Sequence, residues 1–198
     1  MGAYSPSRII NEELDKKILN KIIEPTLKGL KDLGSTYNGF LYAGLMVKDN
    51  EPYLIEYNVR MGDPECQTIL PRLKNDIFDV IELCINQDLE SIDLEWLNDQ
   101  SLSIVLCSKG YPDKFVNEVE IKDLLKLNIG LCENEFVFHA GTKTIKDKIY
   151  SNGGRVLNFV IVSENFKSAR EKIIKLIKEL NWKDGFYRKD IGYRVTDT

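Results

Sequence analysis

The segment at residues 53–65 constrains this 198-residue chain most, because polar and apolar side chains alternate along its first half. Side chains at alternate positions of a β-strand point to the same face. Residues 53–58 are therefore predicted to form a strand with two different faces. One face and its continuation carry Leu54, Glu56, Asn58 and Arg60. The opposite face carries Ile55 and Tyr57, which are expected to pack inward.

The polar face of this strand has the chemistry of a metal-nucleotide site. Glu56 and Asn58 offer adjacent oxygens, and Arg60 offers a planar fork of hydrogen-bond donors beside them. Mg²⁺ usually takes one or two protein oxygens and completes its shell with phosphates and water, while Arg suits phosphate or carboxylate oxygens. The alternation alone is equally consistent with a strand face that is exposed to water and has no binding role.

The longer sequence around this strand resembles a known family. Residues 39–47, a turn at 48–52, the strand at 53–58 and the run Arg-Met-Gly-Asp-Pro-Glu-Cys-Gln at 60–67 closely resemble phosphoribosylamine-glycine ligases, also called glycinamide ribonucleotide synthetases, of the ATP-grasp superfamily. Arg-hydrophobic-Gly-Asp-Pro-Glu-x-Gln is specific to that family, whereas Glu-x-Asn-x-Arg indicates only ATP-grasp enzymes in general. Four further segments resemble the family in the same order: residues 1–6, 138–143, 151–156 and 187–192.

The resemblance implies an α+β fold in two parts. Residues 1–90 would form the carboxyl-terminal part of an ATP-grasp domain, and residues 100–198 the family's small α+β carboxyl-terminal domain. In the family, a segment like residues 1–6 lies in mid-chain, so this chain is expected to be a carboxyl-terminal fragment. Its expected partner is the amino-terminal half of the same enzyme, and it would hold only part of a catalytic site.

The resemblance also implies a reaction and its main residues. Family members join glycine to 5-phosphoribosylamine with ATP as cosubstrate, through a glycyl phosphate, in de novo purine biosynthesis. Glu56 and Asn58 would bind the nucleotide and ligate Mg²⁺ or Mn²⁺. Arg60 would be catalytic, holding the transferred phosphate or the glycyl carboxylate. Two alternatives remain: another ATP-grasp carboxylate-amine ligase, or a non-catalytic fragment that binds nucleotide or a partner.

Other residues of the matching segments are candidates for substrate binding. Asp63 and Glu65 either bind the amino group of glycine or phosphoribosylamine, or cap a helix that begins at Pro64. Tyr4, Ser5 and Pro6 either belong to a loop that lines the substrate cleft, as the resemblance implies, or are disordered at the chain terminus. Gly153, Gly154 and Arg155 either bind an anion or form only a hairpin turn.

Composition excludes several partners. A net charge of -4 and a pI near 5.2 argue against non-specific binding to nucleic acids or anionic membranes, both of which need a basic surface. No apolar run reaches the length of a membrane span and no secretory signal is present, so a cytoplasmic location is expected. The four cysteines are far apart in the sequence, and no nucleophilic role is expected for Cys66 inside the motif.

Local patterns predict most of the remaining elements. We expect a helix capped by Asn11 and extending to about Lys31, with an interruption at Pro25. Strands at 40–47 and 53–58 should form a hairpin whose turn contains Asp49 and Asn50. A helix at 76–86, strands at 102–107, 135–139 and 155–162, and a final amphipathic helix from Ser163 complete the prediction.

Overall fold

The computed structural model describes residues 1–196, excluding the side chain of Ile129. Its strands are β1 (Gly2–Ser5), β2 (Tyr42–Lys48), β3 (Glu51–Asn58), β4 (Gln100–Ser108), β5 (Glu135–His139), β6 (Thr142–Ile145), β7 (Lys148–Ser151), β8 (Arg155–Ser163) and β9 (Gly185–Phe186). Its α-helices are α1 (Glu12–Ile18), α2 (Glu24–Asp32), α3 (Glu65–Ile69), α4 (Ile77–Ile85), α5 (Leu124–Ile129), α6 (Phe166–Leu180) and α7 (Tyr193–Thr196). This mixture confirms the predicted α+β class. Within residues 1–196, no helix combines the length and apolar character needed to cross a membrane.

The first compact unit, called here the sheet unit, contains residues 1–6, 63–72 and the described residues from 96 onward. Its sheet is antiparallel and has the order β1-β4-β8-β5, with β9 also pairing with β4. Helix α6 covers one face and contributes the predicted apolar stripe, all of it buried: Phe166, Ala169, Ile173, Leu176, Ile177 and Leu180. Each large apolar side chain buried in this core stabilises it by about 1.5–3 kcal/mol.

Two local predictions for the sheet unit are wrong. Residues 2–5 form strand β1, not a loop, and they pair with β4 from Gly2 opposite Ile104 to Ser5 opposite Ser101. Helix α6 begins at Phe166, because Ser163 still belongs to β8 and Asn165 caps the helix by accepting a hydrogen bond from the Ser168 amide at 2.8 Å. A capping side chain of this kind sets the first residue of a helix.

The second compact unit, called here the hairpin unit, contains residues 7–62 and 73–95. The predicted cap is confirmed, since Asn11 accepts a hydrogen bond from the Leu14 amide at 2.8 Å. The predicted long helix is divided into α1, a π-helical turn at Leu19–Ile23, and α2, which carries Pro25 in its first turn. The β2-β3 hairpin is also confirmed, and its two turn residues adopt φ 52° and 56°, as a type I′ turn requires.

The hairpin unit buries little apolar surface. Among the described residues, its only buried core side chains are Leu14 and Ile22, whereas Ile55 is 66% and Phe78 is 67% exposed. An apolar cavity of about 440 Å³ is lined by α4 and neighbouring segments, through residues 38–40, 80, 81, 84, 85, 89, 92 and 94. Exposed apolar surface of this extent is typical of a face that another polypeptide covers.

The compact units do not follow the sequence order, because residues 1–6 and 63–72 pack in the sheet unit. The compact units describe which residues pack together. They do not test the predicted division into a domain at residues 1–90 and a domain at residues 100–198. That division stays a prediction.

An ion-pair cluster attaches the hairpin to α1 and to the π-helical turn that follows it. Lys17 and Lys21 each place an ammonium 2.7 Å from a carboxylate oxygen of Glu51. Hydrogen bonds from Lys17 and then Lys21 lower the pKa of Glu51 to about 2. A carboxyl group whose folded pKa is depressed stabilises the fold above its unfolded pKa, and this contribution is lost as the pH falls through the folded value.

We therefore expect Glu51→Gln to make the hairpin unit less stable near neutral pH, with the difference from the parent chain shrinking between about pH 4.5 and pH 2. Urea unfolding of both proteins across this range measures it. Raising the salt concentration should reduce the difference, because these exposed charges are screened. A difference that is constant with pH would contradict the assignment.

Candidate functional site

Strand β3 brings Glu56 and Asn58 together, as the alternation predicts. The Asn58 amide donates a hydrogen bond from Nδ2 to Glu56 Oε1 at 3.2 Å. Gly44 lies opposite Glu56 on β2, and a Cβ atom added there would stand 3.1 Å from Glu56 Cγ. The absence of a side chain at Gly44 therefore leaves room for the Glu56 side chain to lie close to β2.

A β-bulge changes the faces of the hairpin. Leu54 lies opposite Leu45 and Glu56 lies opposite Gly44, so Ile55 is the extra residue on β3. Directly opposed residues share a face, and adjacent residues of one strand point to opposite faces. Leu54 and Glu56 therefore lie on opposite faces, and the prediction that they share one is wrong. The prediction that Ile55 packs inward is also wrong, because its side chain is 66% exposed.

Tyr57 secures the strand from the side opposite Glu56 and Asn58. Its hydroxyl is 2.7 Å from Thr26 Oγ1 and donates to the Ile22 carbonyl at 3.1 Å. The Ile22 carbonyl belongs to the π-helical turn between α1 and α2. The predicted inward position of Tyr57 is confirmed. Because these hydrogen bonds hold Tyr57 against the helical segment, the opposite face of the strand, which carries Glu56, points away from that segment.

Arg60 lies beyond the strand, which ends at Asn58. Its side chain is exposed and Nη1 donates to the neighbouring Met61 carbonyl at 3.0 Å. Strand alternation therefore does not set the direction of Arg60, and its catalytic role stays a prediction.

Glu56 and Asn58 form a donor set that fits Mg²⁺ or Mn²⁺ held together with a nucleotide. Within the described residues, no group of three or more His, Cys, Asp or Glu side chains is placed to hold a metal ion. Mg²⁺ is seldom bound by an all-protein cage, and one carboxylate with one further protein oxygen is a common set when phosphates supply the rest.

Asp63 is the centre of a polar cluster in the sheet unit. Its Oδ1 accepts hydrogen bonds from Gln67 Nε2 at 3.0 Å and Asn158 Nδ2 at 3.3 Å. Its Oδ2 is 3.1 Å from Arg155 Nη2, and Arg155 Nη1 donates to the Asp63 carbonyl at 2.9 Å. These donors fix the carboxylate and the guanidinium relative to each other. We call Asp63, Gln67, Arg155 and Asn158 the Asp63 cluster.

Two amide oxygens of the Asp63 cluster have no hydrogen-bond partner among the described residues: Gln67 Oε1 and Asn158 Oδ1. Leaving a buried acceptor unsatisfied costs about 1–3 kcal/mol. The sequence motifs do not indicate Asn158. Its signal is a single polar residue inside the apolar run Val-Leu-Asn-Phe-Val-Ile-Val at residues 156–162.

The helix-cap interpretation of Asp63 is wrong. Helix α3 begins at Glu65, Pro64 occupies the N-cap position, and no side chain caps the helix. The Asp63 carboxylate instead accepts hydrogen bonds from side chains of α3 and β8. Glu65 lies in the first helical turn, where an acidic side chain complements the helix dipole. The substrate-binding roles of Asp63 and Glu65 remain predictions.

The three predicted cleft residues at the start of the chain have different environments. The Tyr4 ring packs edge-on against Phe166 at 5.4 Å, on the core face of the sheet. Ser5 Oγ accepts a hydrogen bond from Arg72 Nη1 at 2.7 Å, and Pro6 is exposed. The buried Arg72 also donates to the Asp99 and Leu97 carbonyls. Tyr4 and Ser5 thus have structural contacts, and their substrate roles stay predictions.

The thiol of Cys66 is not activated. Burial, and secondly the negative charge of Asp63, raises its pKa above the usual value. A thiol with a raised pKa holds its proton at neutral pH and is a weak nucleophile.

The candidate residues therefore fall into two groups, one in each compact unit. Glu56, Asn58 and Arg60 belong to the hairpin unit, and Asp63 and Glu65 belong, with residues 4–6, to the sheet unit.

Two family profiles match this chain. The phosphoribosylglycinamide synthetase ATP-grasp (A) domain matches residues 1–66, and the phosphoribosylglycinamide synthetase C domain matches residues 101–194. Together they span most of the sequence in the order expected from its motifs.

Individual relatives agree with these profiles. The chain is 40% identical over 192 residues to phosphoribosylamine-glycine ligase from Fusobacterium nucleatum, covering 97% of this chain and 45% of that protein. It is 41% identical over 201 residues to the Haemophilus influenzae ligase, covering 100% of this chain and 46% of the relative. It is 42% identical over 197 residues to the trifunctional purine biosynthetic protein adenosine-3 from Gallus gallus, covering 98% of this chain and 19% of that protein. The chain spans about half the length of the bacterial ligases it matches.

Solved structures have a similar fold. The crystal structure of phosphoribosylamine-glycine ligase from Thermotoga maritima superposes with a TM-score of 0.83 at 32% identity, covering 97% of this chain and 46% of that one. The biotin carboxylase domain of a thermophilic 2-oxoglutarate carboxylase superposes with a TM-score of 0.58 at 15% identity, covering 96% of this chain and 40% of that one, which shows a shared fold alone. The chain therefore belongs to the phosphoribosylglycinamide synthetase family, and it carries part of that family's ATP-grasp domain followed by its C domain.

Proposed function

We propose that this chain is the carboxyl-terminal portion of an ATP-dependent phosphoribosylamine-glycine ligase of purine biosynthesis. The reaction joins glycine to 5-phosphoribosylamine and releases glycinamide ribonucleotide, ADP and phosphate. The observation that carries the proposal is the adjacent Glu56 and Asn58 pair, whose side chains meet at 3.2 Å within a segment matched to the family's ATP-grasp domain.

The chemical problem in this reaction is that a carboxylate is a poor electrophile. Transfer of the γ-phosphoryl group of ATP to glycine produces a glycyl phosphate that an amine can attack. Such a transfer depends mainly on positioning and on charge neutralisation. Glu56 and Asn58 hold Mg²⁺ or Mn²⁺, which when bound neutralises phosphate charge, and Arg60 holds the transferred phosphate or the glycyl carboxylate.

The other predicted residues have proposed roles within their own segments. Asp63 and Glu65 bind the amino group of a substrate, and a substrate cleft is lined by Tyr4, Ser5 and Pro6. Residues 1–90 form the ATP-grasp portion and residues 100–198 the carboxyl-terminal domain.

The proposed partner is the amino-terminal portion of the same enzyme. The chain covers 45% of the Fusobacterium nucleatum ligase, and β2 and β3 form a two-stranded sheet. Two-stranded hairpins are marginal alone and gain stability when further strands or a helix pack on them. The exposed apolar side chains of the hairpin unit, such as Ile55 and Phe78, supply a surface for that packing.

Complementation tests this function. We expect the purified chain alone to form no glycinamide ribonucleotide, and a mixture with the amino-terminal portion of the Fusobacterium nucleatum ligase to form it. The measurements are product formation by mass spectrometry and glycine-dependent release of ADP.

The amino-terminal portion alone is the matched control. Sustained product formation by this chain alone would contradict the proposed division of the site. ADP release by the mixture with a carboxylate other than glycine, and none with glycine, would favour a different ATP-grasp ligase. A mixture that forms a stable complex and binds ATP without turnover would indicate a non-catalytic role.

A further inference from the structure

Helix α4 is an apolar helix that the described residues cover incompletely. Seven of its nine residues are apolar, and none of the nine is buried. Two of its side chains are largely open to solvent, since Phe78 is 67% and Ile85 is 70% exposed. A helix that is apolar over most of its surface is normally buried, so α4 is expected to pack against a further polypeptide segment.

The apolar cavity of the hairpin unit lies beside this helix. Its volume is about 440 Å³, and α4 lines it with Val80, Ile81, Cys84 and Ile85. Residues four positions apart on a helix are neighbours on one face, so these side chains form a continuous stripe. Among the described residues that line the cavity, none is charged and Asn38 alone carries an amide. A small-molecule site normally has a few polar groups that converge on the ligand, so this cavity is better suited to apolar side chains of a polypeptide.

The segment that supplies most of the cavity lining is strongly acidic. Residues 76–95 contain seven Asp or Glu residues and no Lys or Arg, although the whole chain has a net charge of only -4. All seven acidic residues are exposed. They interleave with lining side chains over residues 88–94. Among the described residues, the ion pair of this segment joins Glu95 to Lys74 at 3.4 Å. An apolar cavity with an acidic rim therefore lies on the hairpin unit.

We propose that α4 and this cavity dock a segment of the amino-terminal portion of the ligase, in which apolar side chains are flanked by Lys or Arg. The inference rests on the proposed function and deepens it, because it gives the docking surface and the chemistry of the proposed partner. An apolar segment that enters a groove is a recurring mode of recognition, and basic groups beside it complement the exposed carboxylates.

A second copy of this chain fits the same surface less well. In a symmetric dimer the same patch of each copy meets its equivalent. The acidic rim would then face another acidic rim, and juxtaposed like charges oppose association. The chain spans about half the length of the bacterial ligases, so the proposed partner supplies a different surface.

A complex formed without substrates tests the docking surface. This chain is co-expressed with the tagged amino-terminal portion of the Fusobacterium nucleatum ligase, and analytical ultracentrifugation over a dilution series gives the dissociation constant. Ile85→Lys should raise this constant at least about tenfold, because it removes an apolar side chain from the contact and places a cation against a basic partner. Ile145→Lys is the matched control. Ile145 is 45% exposed on β6 and lies outside the cavity, so its change should stay within about twofold.

Two measurements on the unmutated chain complete the test. Labelling of Cys84 by iodoacetamide, followed by peptide mass spectrometry, should be largely lost in the complex, because a docked segment covers the cavity. The exposed Cys132, which lies outside the cavity, should be labelled as in the chain alone. Raising the salt concentration should weaken the complex, since screening reduces the attraction between exposed charges. If Ile85→Lys does not fold, judged by circular dichroism, the labelling of Cys84 decides the result.

Several outcomes would overturn the proposal. These are the absence of a complex, unchanged labelling of Cys84 in the complex, and equal dissociation constants for the Ile85→Lys and Ile145→Lys chains. A complex that salt does not weaken would contradict a basic partner segment. Self-association of this chain that Ile85→Lys abolishes would assign the cavity to a second copy. Because no substrate is present, a complex with the expected properties that fails to turn over would contradict the proposed function and leave the docking surface supported.

Discussion

Glu56→Gln is expected to lower kcat of the complemented ligase by at least about 100-fold, the scale of losing one electrostatic contact to a transferring group. Glutamine keeps the size and position of the side chain and removes the charge that holds the metal. Asn58→Leu should have a comparable effect, because it removes the oxygen adjacent to the Glu56 carboxylate on the strand. Steady-state ADP release at saturating glycine and phosphoribosylamine measures both variants.

Glu51→Gln is the matched control, since it makes the same change on the same strand. Glu51 is bound to Lys17 and Lys21, so its loss should change stability at neutral pH and leave kcat within about twofold, the size of most surface effects. Equal losses of turnover for Glu51→Gln and Glu56→Gln would mean that the predicted metal-binding face is wrong. Partial rescue of Glu56→Gln by high Mg²⁺ would support metal binding by this carboxylate.

The largest expected stability effect is at Phe159, which is 0% exposed in the core on β8. Phe159→Ala should destabilise the sheet unit by about 3–5 kcal/mol, the usual cost of removing a buried aromatic ring and leaving a cavity. Urea unfolding followed by tryptophan fluorescence measures this directly. Both tryptophans, Trp96 and Trp182, belong to the sheet unit, so the signal reports the unit that carries the change.

Phe115→Ala is the control for Phe159→Ala. The Phe115 side chain is 39% exposed, so its truncation should cost less than that of the fully buried Phe159. A Phe159→Ala chain as stable as the Phe115→Ala chain would show that the apolar stripe of α6 does not pack on β8 as described.

Local elements could be predicted from the sequence because their determinants lie within a few residues of one another. Asn11 caps α1 through the Leu14 amide, three positions away. The turn residues of the hairpin are adjacent, and the buried stripe of α6 repeats at helical spacing. The motif at residues 60–67 likewise identified the family, since a short specific pattern needs no knowledge of packing.

The bulge at Ile55 and strand β1 could not be predicted in the same way. A bulge depends on how two strands align, and strict alternation gives no sign of the extra residue. Strand β1 is four residues long and pairs with residues about 100 positions later. Its short sequence has no alternation to distinguish it from a loop.

The candidate site shows the same division between local and long-range information. The pairing of Glu56 with Asn58 follows from their spacing on one strand, so the sequence alone predicted it. The Asp63 cluster joins residues 92 and 95 positions apart, and its unpartnered oxygens exist only once β8 packs beside α3. Backbone periodicity acts over a few residues, whereas hydrogen bonds between distant side chains depend on the packing of the whole sheet, and therefore only the folded chain places Gln67, Arg155 and Asn158 around Asp63.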